Sequence, residues 1–259
     1  MPVPTADRSA TGSPNPSASA IDGDRLGDVV STTPVTDELG DYRHVTIAPD
    51  AAAFASIDQA TVDASIAGSD WDDTELLDAQ RFVATFVAEQ AIDSVALDRD
   101  EAGWKQWLTE VAPTYFADPL PDALAVPEDN TDRAIPIFND ADDATPILVR
   151  DGGARLTEAS ITIDELANSP REGGEWLAVI GSAQVSYRVS DDSALAALMR
   201  QGYTEQEARE SFPVLTDGVD GAYLGDFTFE YDVDRIDGKW VIRDWSLTSD
   251  TSFEGVNEA

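Results

Sequence analysis

The chain has 259 residues and a formal charge of -35, which results from 51 acidic residues against 16 basic ones. Such a surface repels phosphate backbones and anionic headgroups, which argues against nucleic-acid binding and against membrane binding through a basic patch. The absence of cysteine excludes disulfides, thiolate metal sites and thiol nucleophiles. His44 is the only histidine, which removes most zinc sites and the usual general base. The charge favours cations or basic proteins as partners.

The first 36 residues are rich in Ser, Thr, Pro, Gly and small side chains. Such a segment buries too little surface to offset its ordering entropy, so we expect a disordered tether over residues 1–36. Its larger apolar residues include Ile21, Leu26, Val29 and Val30. Residues 37–259 then form a single α+β domain, which is long enough to bury a sizeable core.

Two amphipathic helices are predicted early in the domain. Before them, YRHVTI at residues 42–47 predicts a short strand and the alanine-rich residues 51–62 a marginal helix. Asp72 or Asp73 then caps a long helix to about residue 92, with Glu75 in its first turn. Its apolar residues recur at helical spacing: Leu76, Ala79, Val83, Phe86, Val87 and Ala91. A second helix over residues 100–116 is limited by Pro113.

Five prolines between residues 117 and 146 predict an irregular connection, with one edge strand at AIPIF. An acidic run follows, made of Asn139, Asp140, Asp142 and Asp143. It has the oxygen ligands that calcium prefers, but position five of an EF-hand loop would be Ala144 and position six lacks glycine. We therefore predict a solvated loop there, and no metal or cofactor in the protein.

The remaining pattern is mostly strands. ILVR and ASITID predict strands, and residues 175–190 a longer one bent or bulged at Gly181. One face of that strand carries Leu177, Val179, Ala183, Val185, Tyr187 and Val189. Residues 191–211 predict a small helical insertion, in which Thr204 and Glu207 have the form of a capping box.

The C-terminal residues predict a hairpin around Asp237-Gly238, a pair that favours a two-residue turn. In that register Ile236 faces Lys239, Asp232 faces Arg243 and Tyr231 faces Asp244. One face of the hairpin then carries Phe229, Tyr231, Val233, Trp240 and Ile242.

Two helices, a long bent strand and a hairpin of the form Y-x-V-x-R-x-D-G-K-W-x-I-x-x-W from Tyr231 to Trp245 resemble the nuclear-transport-factor-2-like fold over residues 70–250. The resemblance implies long N-terminal helices packed on a curved antiparallel sheet that forms a cone with a pocket. The insertion at 191–211 departs from the short connection usual there. The fold hosts isomerases, dehydratases, polyketide cyclases and purely binding members, so it does not specify a function.

Two candidate sites follow from these patterns. Asp244 beside Tyr231 on the aromatic face would be a desolvated carboxylate suited to act as a general base. The alternative is a solvated Asp244 at the rim, or a structural hydrogen bond to Tyr231. An apolar ligand pocket could be lined by aromatic residues, although core packing explains their spacing more simply. They are Trp104, Trp107, Tyr115, Phe116, Trp176, Tyr187, Phe229 and Trp240.

The function favoured by the sequence is a non-catalytic binding or accessory module whose partner is a protein or a small apolar ligand. The tether resembles the Ser/Thr/Pro linker after the lipidated cysteine of exported lipoproteins in high-GC Gram-positive bacteria. It predicts tethering at the cell surface if a signal and lipobox precede Met1, and a cytoplasmic protein otherwise. The alternative is a small-molecule isomerase, dehydratase or cyclase using Asp244. The sequence contains no P-loop, GxGxxG, GxSxG or HExxH motif, and no apolar run long enough to span a bilayer.

Overall fold

The computed structural model describes residues 30–37, 40–47, 56–92, 106–118, 120, 156–171, 174–189, 195–196, 198–199, 202–211 and 221–254. They form an α+β structure in which a four-stranded antiparallel sheet packs against a short helical layer. The elements are β1 Val30–Asp37, β2 Gly40–Ile47, α1 Asp73–Phe86, α2 Ala112–Tyr115, β3 Leu156–Arg171, β4 Gly174–Val189, α3 Glu205–Ser211, β5 Gly221–Ile236 and β6 Lys239–Glu254.

Strand β1 shortens the predicted tether. It begins at Val30 and pairs antiparallel with β2 from Val30 opposite Ile47 to Asp37 opposite Gly40. The boundary at residue 36 is therefore wrong, because β-branched Val and Thr favour extended backbone even without large apolar side chains. Residues 1–29 lie outside the described part of the chain. The strand predicted from YRHVTI is confirmed in β2.

Helix α1 begins as its acidic start predicts. The Asp72 side chain accepts hydrogen bonds from the backbone N–H groups of Thr74 and Glu75, both at 2.9 Å, and Glu75 Oε2 accepts one from the Asp72 N–H. The chain continues beyond Phe86 through a π-helical turn, Val87–Ala91. The helix predicted over residues 51–62 is wrong in its described part, since residues 56–62 form a turn and a bridge to Leu166.

The second helix is described from Gln106 onward. A π-helical turn, Trp107–Val111, leads into α2, where Pro113 lies in the first turn and the helix ends at Tyr115. Proline fits a first helical turn because the N–H it lacks has no intrahelical partner there. Pro113 thus begins the last helical turn and does not end the helix.

The sheet is a meander in the order β3-β4-β5-β6, with every pair antiparallel. The predicted inner face of β4 is confirmed, because Leu177, Val179 and Tyr187 are fully buried. Gly181 lies opposite a register shift between Ile163 and Glu165, so the predicted irregularity belongs to the neighbouring strand β3. A Cβ at position 181 would lie 2.6 Å from Phe229 Cζ, and closer to the Thr162 carbonyl oxygen. Gly181 is therefore required by close packing.

A second register shift lies in the terminal hairpin. Asp237 and Gly238 form the turn with positive φ, and Ile236 lies opposite Lys239 as predicted. Arg243 is then an extra residue: Val233 lies opposite Ile242, but Asp232 lies opposite Asp244. The pairings predicted for Asp232 and for Tyr231 are therefore wrong, since a β-bulge moves every later residue of β6 by one position.

The core lies between α1 and the inner face of the sheet. Phe86 occupies its centre, with ring centroids at 5.0 Å from Tyr115, 5.5 Å from Phe116 and 5.2 Å from Tyr231. These tilted and edge-on contacts are favourable for aromatic pairs and add to the burial of apolar area.

The helical insertion contains α3, whose start was predicted from the sequence. The capping box of α3 is confirmed, because Glu207 accepts hydrogen bonds from Thr204 while Thr204 Oγ1 accepts one from the Glu207 N–H. The predicted strands ILVR and AIPIF, and the acidic run from Asn139 to Asp143, lie outside the described residues. Among the described helices none is long and apolar enough to cross a membrane.

Candidate functional site

The predicted catalytic pair is not brought together. Tyr231 is fully buried in the core, where its ring packs 5.5 Å from Phe229, and burial raises the pKa of its hydroxyl. The side chain of Asp244 is 59% exposed and lies on the opposite face of the sheet. The bulge at Arg243 causes this separation, because beyond it Trp245 and Leu247 take the inward positions.

Asp244 instead belongs to an ion-pair cluster on the outer face. Arg171 lies 3.7 Å from Asp244 but 2.6 Å from Asp232, whose carboxylate also accepts a hydrogen bond from Ser169. The hydrogen bond to Asp232 raises the pKa of Arg171. Asp232 is only 1% exposed, so this side chain depends on Arg171 and Ser169 in place of solvent. We assign the cluster a structural role.

Most of the predicted pocket residues are core residues where the structure describes them, but Trp176 lies beside the guanidinium groups of Arg171 and Arg243. The Trp107 indole donates to Gln90 Oε1 at 3.0 Å, and the Tyr187 hydroxyl donates to the Ile92 carbonyl at 2.7 Å. Tyr115 reaches Glu89 Oε2 at 3.4 Å, and its burial, followed by the charge of Glu89, raises its pKa to about 12. Trp107, Phe116, Tyr187 and Phe229 are buried, whereas Tyr115, Trp176 and Trp240 are half-buried. Trp104 lies outside the described residues.

A different group of residues lines a cleft of about 350 Å³ at the start of α1, which we call the Trp71 cleft. Its lining residues are Asp70, Trp71, Glu75 and Glu175. Local structure sets its position: Ser69 Oγ accepts from the Trp71 backbone N–H at 3.3 Å, and the Asp72 cap follows at once. Glu175 comes from the start of β4. The cleft therefore joins a helix N-terminus to the end of the sheet.

Trp71, which lines the cleft, contacts a second indole, and that indole lies beside an arginine. The rings of Trp71 and Trp240 lie 5.8 Å apart, and the Arg235 guanidinium lies 5.7 Å from the Trp240 ring. Arg235 Nη1 also contacts Glu75 Oε1 at 3.1 Å. This arrangement holds Glu75 between its own helix N-terminus and the hairpin.

The charges of the cleft are unbalanced. Glu75 is paired with Arg235, but within the described chain neither Asp70 nor Glu175 has an ion-pair partner. The lining thus contains three carboxylates and the Trp71 indole, and only one of these carboxylates is paired with a described guanidinium. Indole faces and carboxylates both attract cations.

The described residues contain no group of three or more His, Asp or Glu placed to hold a metal ion. The carboxylates of the Trp71 cleft therefore do not converge on one point, and the indole supplies no metal ligand. An organic cation, with its charge spread over several atoms, fits this arrangement better than a metal ion. The Trp71 Nε1 donor is buried and has no acceptor among the described residues, and the ring packs against the core and Trp240.

A second groove, of about 520 Å³, runs along the short helix α3 and is lined by Glu205, Gln206, Arg209 and Glu210. These side chains already bond one another, Arg209 to Glu205 at 3.0 Å and Gln206 to Glu210 at 2.8 Å. Their internal pairing leaves little charge for a ligand. The Trp71 cleft is the stronger candidate.

Sequence reasoning placed Trp240 in a pocket but missed Trp71. The signal was an aromatic residue inside the acidic run SDWDD, directly before a helix cap. No family model matches the chain, and comparisons with curated proteins and with solved structures find no significant match.

Proposed function

We propose that the protein is a non-catalytic binding module that recognises cationic groups of a basic partner. The observation that carries the proposal is the Trp71 cleft, where Asp70 and Glu175 lie beside the Trp71 indole and have no ion-pair partner among the described residues. The formal charge of -35 acts in the same direction, because it attracts basic polypeptides over long range at low salt. A polypeptide is therefore the favoured partner, and the small apolar ligand considered from the sequence has less support.

The proposal includes the architecture and location inferred from the sequence. We place the domain in the nuclear-transport-factor-2-like class, supported by a helical layer that precedes an antiparallel meander ending in a long hairpin. We also propose that the N-terminal tether holds the domain near the cell surface after export. The composition of residues 1–29 supports this part.

The alternative, an enzyme with Asp244 as general base, has less support. A base of that kind needs a desolvated carboxylate, and the Asp244 side chain is 59% exposed and 3.7 Å from Arg171. Tyr231, its proposed partner, is buried on the other face.

The test is direct binding of peptides to the full chain. Fluorescence anisotropy would compare labelled peptides of matched length, one rich in arginine and lysine and one rich in glutamate. We expect only the basic peptide to bind, with an affinity that falls as sodium chloride rises. Absence of binding at low salt, or equal binding of both peptides, would overturn the proposal.

A further inference from the structure

We infer that the Trp71 cleft is an arginine-recognition site that takes the guanidinium of one arginine side chain from the partner polypeptide. The inference rests on the proposed function and specifies the chemical group that is recognised. It depends on how the protein holds one of its own arginines beside the cleft.

Arg235 provides an internal example of the ligand. Its guanidinium lies 5.7 Å from the centroid of the Trp240 ring and 3.1 Å from Glu75 Oε1. One indole and one carboxylate are thus enough to hold a guanidinium at this end of the sheet. The distances fit a cation–π contact combined with a charge-assisted hydrogen bond.

The Trp71 cleft contains the same two kinds of group, an indole and carboxylates. The ring centroids of Trp71 and Trp240 lie 5.8 Å apart, so the two indoles form one aromatic group. Asp70 and Glu175 line the cleft, and neither carboxylate has an ion-pair partner within the described chain. A second guanidinium in the cleft would meet groups of the same kinds as those that hold Arg235, an indole and carboxylates.

The chemistry favours guanidinium over ammonium and over metal ions. Guanidinium is planar, weakly hydrated and able to stack on an indole while donating to two carboxylates, whereas ammonium is a compact and strongly hydrated charge. A volume of about 350 Å³ exceeds what one guanidinium fills and leaves space for part of its side-chain stem. The absence of a three-ligand group among the described residues argues against a metal ion.

The experiment compares three peptides that differ at one residue. Isothermal titration of the full chain would use a neutral peptide with a single arginine, its lysine analogue and its uncharged citrulline analogue. We expect the arginine peptide to bind about 3- to 10-fold more tightly than the lysine peptide, as one cation–π contact allows. The citrulline peptide should not bind measurably.

Matched variants locate the site. Glu175→Gln in the cleft and Glu205→Gln on α3 remove the same charge from two exposed glutamates. Only Glu175→Gln should weaken arginine-peptide binding, by about 3- to 10-fold. Trp71→Leu should weaken it similarly and abolish the preference for arginine over lysine, while Trp71→Phe keeps an aromatic face and part of the preference.

The outcomes separate this inference from the proposed function. Equal weakening by Glu175→Gln and Glu205→Gln, or equal affinity for the arginine and lysine peptides, would overturn the arginine site while basic peptides still bind. Failure of every basic peptide to bind would overturn the proposed function as well. Thermal unfolding of each variant establishes folding. If Trp71→Leu does not fold, the two glutamate variants and Trp71→Phe decide the question.

Discussion

At the residue scale, two aspartates that lie opposite each other have different environments. Asp232 and Asp244 form a cross-strand pair and share Arg171, yet the side chain of Asp232 is 2% exposed and that of Asp244 59%. A buried carboxylate needs its partners because the solvent that would stabilise the charge is absent. An exposed carboxylate is hydrated whether or not it is paired.

Asp232→Asn should therefore lower the free energy of unfolding by about 1–3 kcal/mol, the range for losing hydrogen bonds to a charged group. Asp244→Asn, the matched control, should change it by less than about 0.5 kcal/mol. Urea unfolding in about 0.5 M sodium chloride measures both while it screens the general repulsion that each variant relieves. Equal effects of the two variants would contradict the assignment of Asp232 as the buried partner.

Tyrosine burial predicts how stability depends on alkaline pH. Burial raises the pKa of Tyr115 from 10.0 to about 12, and it also raises the pKa of Tyr231. The folded state therefore retains protons that the unfolded state releases above pH 10, so stability is complete below pH 10 and falls as the pH rises toward 12. Urea midpoints from about pH 9 to about pH 11.5 should decrease, and less so in Tyr115→Phe. A midpoint that is constant over this range would contradict the burial of both hydroxyls.

At the element scale, the packing of β4 depends on one glycine. A Cβ at Gly181 would contact Phe229 Cζ at 2.6 Å, whereas a Cβ at Gly174, the first residue of the same strand, meets nothing within 4 Å. The lack of a Cβ at Gly181 thus allows the Phe229 ring and the bulged strand β3 to approach the backbone of β4 closely.

Gly181→Ala should lower the free energy of unfolding by about 1–3 kcal/mol, because the added methyl group overpacks the core. Gly174→Ala should stay within about 0.5 kcal/mol of the natural chain. Urea unfolding measures both variants, and circular dichroism checks that the strands are retained. A neutral Gly181→Ala would contradict the close approach of the Thr162 carbonyl and the Phe229 ring to this position.

At the scale of the whole molecule, the excess of acidic residues is the main electrostatic influence on folding stability. Only Asp7, Asp22, Asp24 and Asp28 precede residue 36, so nearly all of the 51 carboxylates belong to the domain. Five ion pairs between the described side chains join Arg to Asp or Glu at 3.4 Å or less: Arg81–Asp78, Arg171–Asp232, Arg209–Glu205, Arg235–Glu75 and Arg243–Asp234. These pairs neutralise few of the acids, so like-charge repulsion opposes folding.

The thermal midpoint should therefore rise with sodium chloride from about 0.01 M, where the Debye length is about 30 Å, to about 1 M, where it is about 3 Å. Potassium chloride should act equally, because screening needs no specific site. A flat or falling midpoint would contradict the repulsion account. A much larger rise with dilute calcium would instead indicate a metal site, for which the run from Asn139 to Asp143 is the candidate.

Local interactions explain which features the sequence determined by itself. The Asp72 cap, the Thr204 capping box and the Asp237-Gly238 turn involve neighbours within four residues, so their residue types suffice to predict them. The inner face of β4 follows equally from alternation, because successive strand residues point to opposite faces. The lack of cysteine also excluded thiol chemistry without any knowledge of the fold, and the acidic composition argued against a basic binding surface.

Only the tertiary structure decided where the candidate site lies. One extra residue at Arg243 moved Asp244 to the outer face, and the local sequence does not mark that bulge. The Trp71 cleft combines Trp71 with Glu175, and Glu75 in its lining pairs with Arg235; these residues are far apart in the chain and meet only when α1 packs on the sheet. Strand register and helix docking are set by the summed packing of the core, and short-range patterns cannot encode that sum.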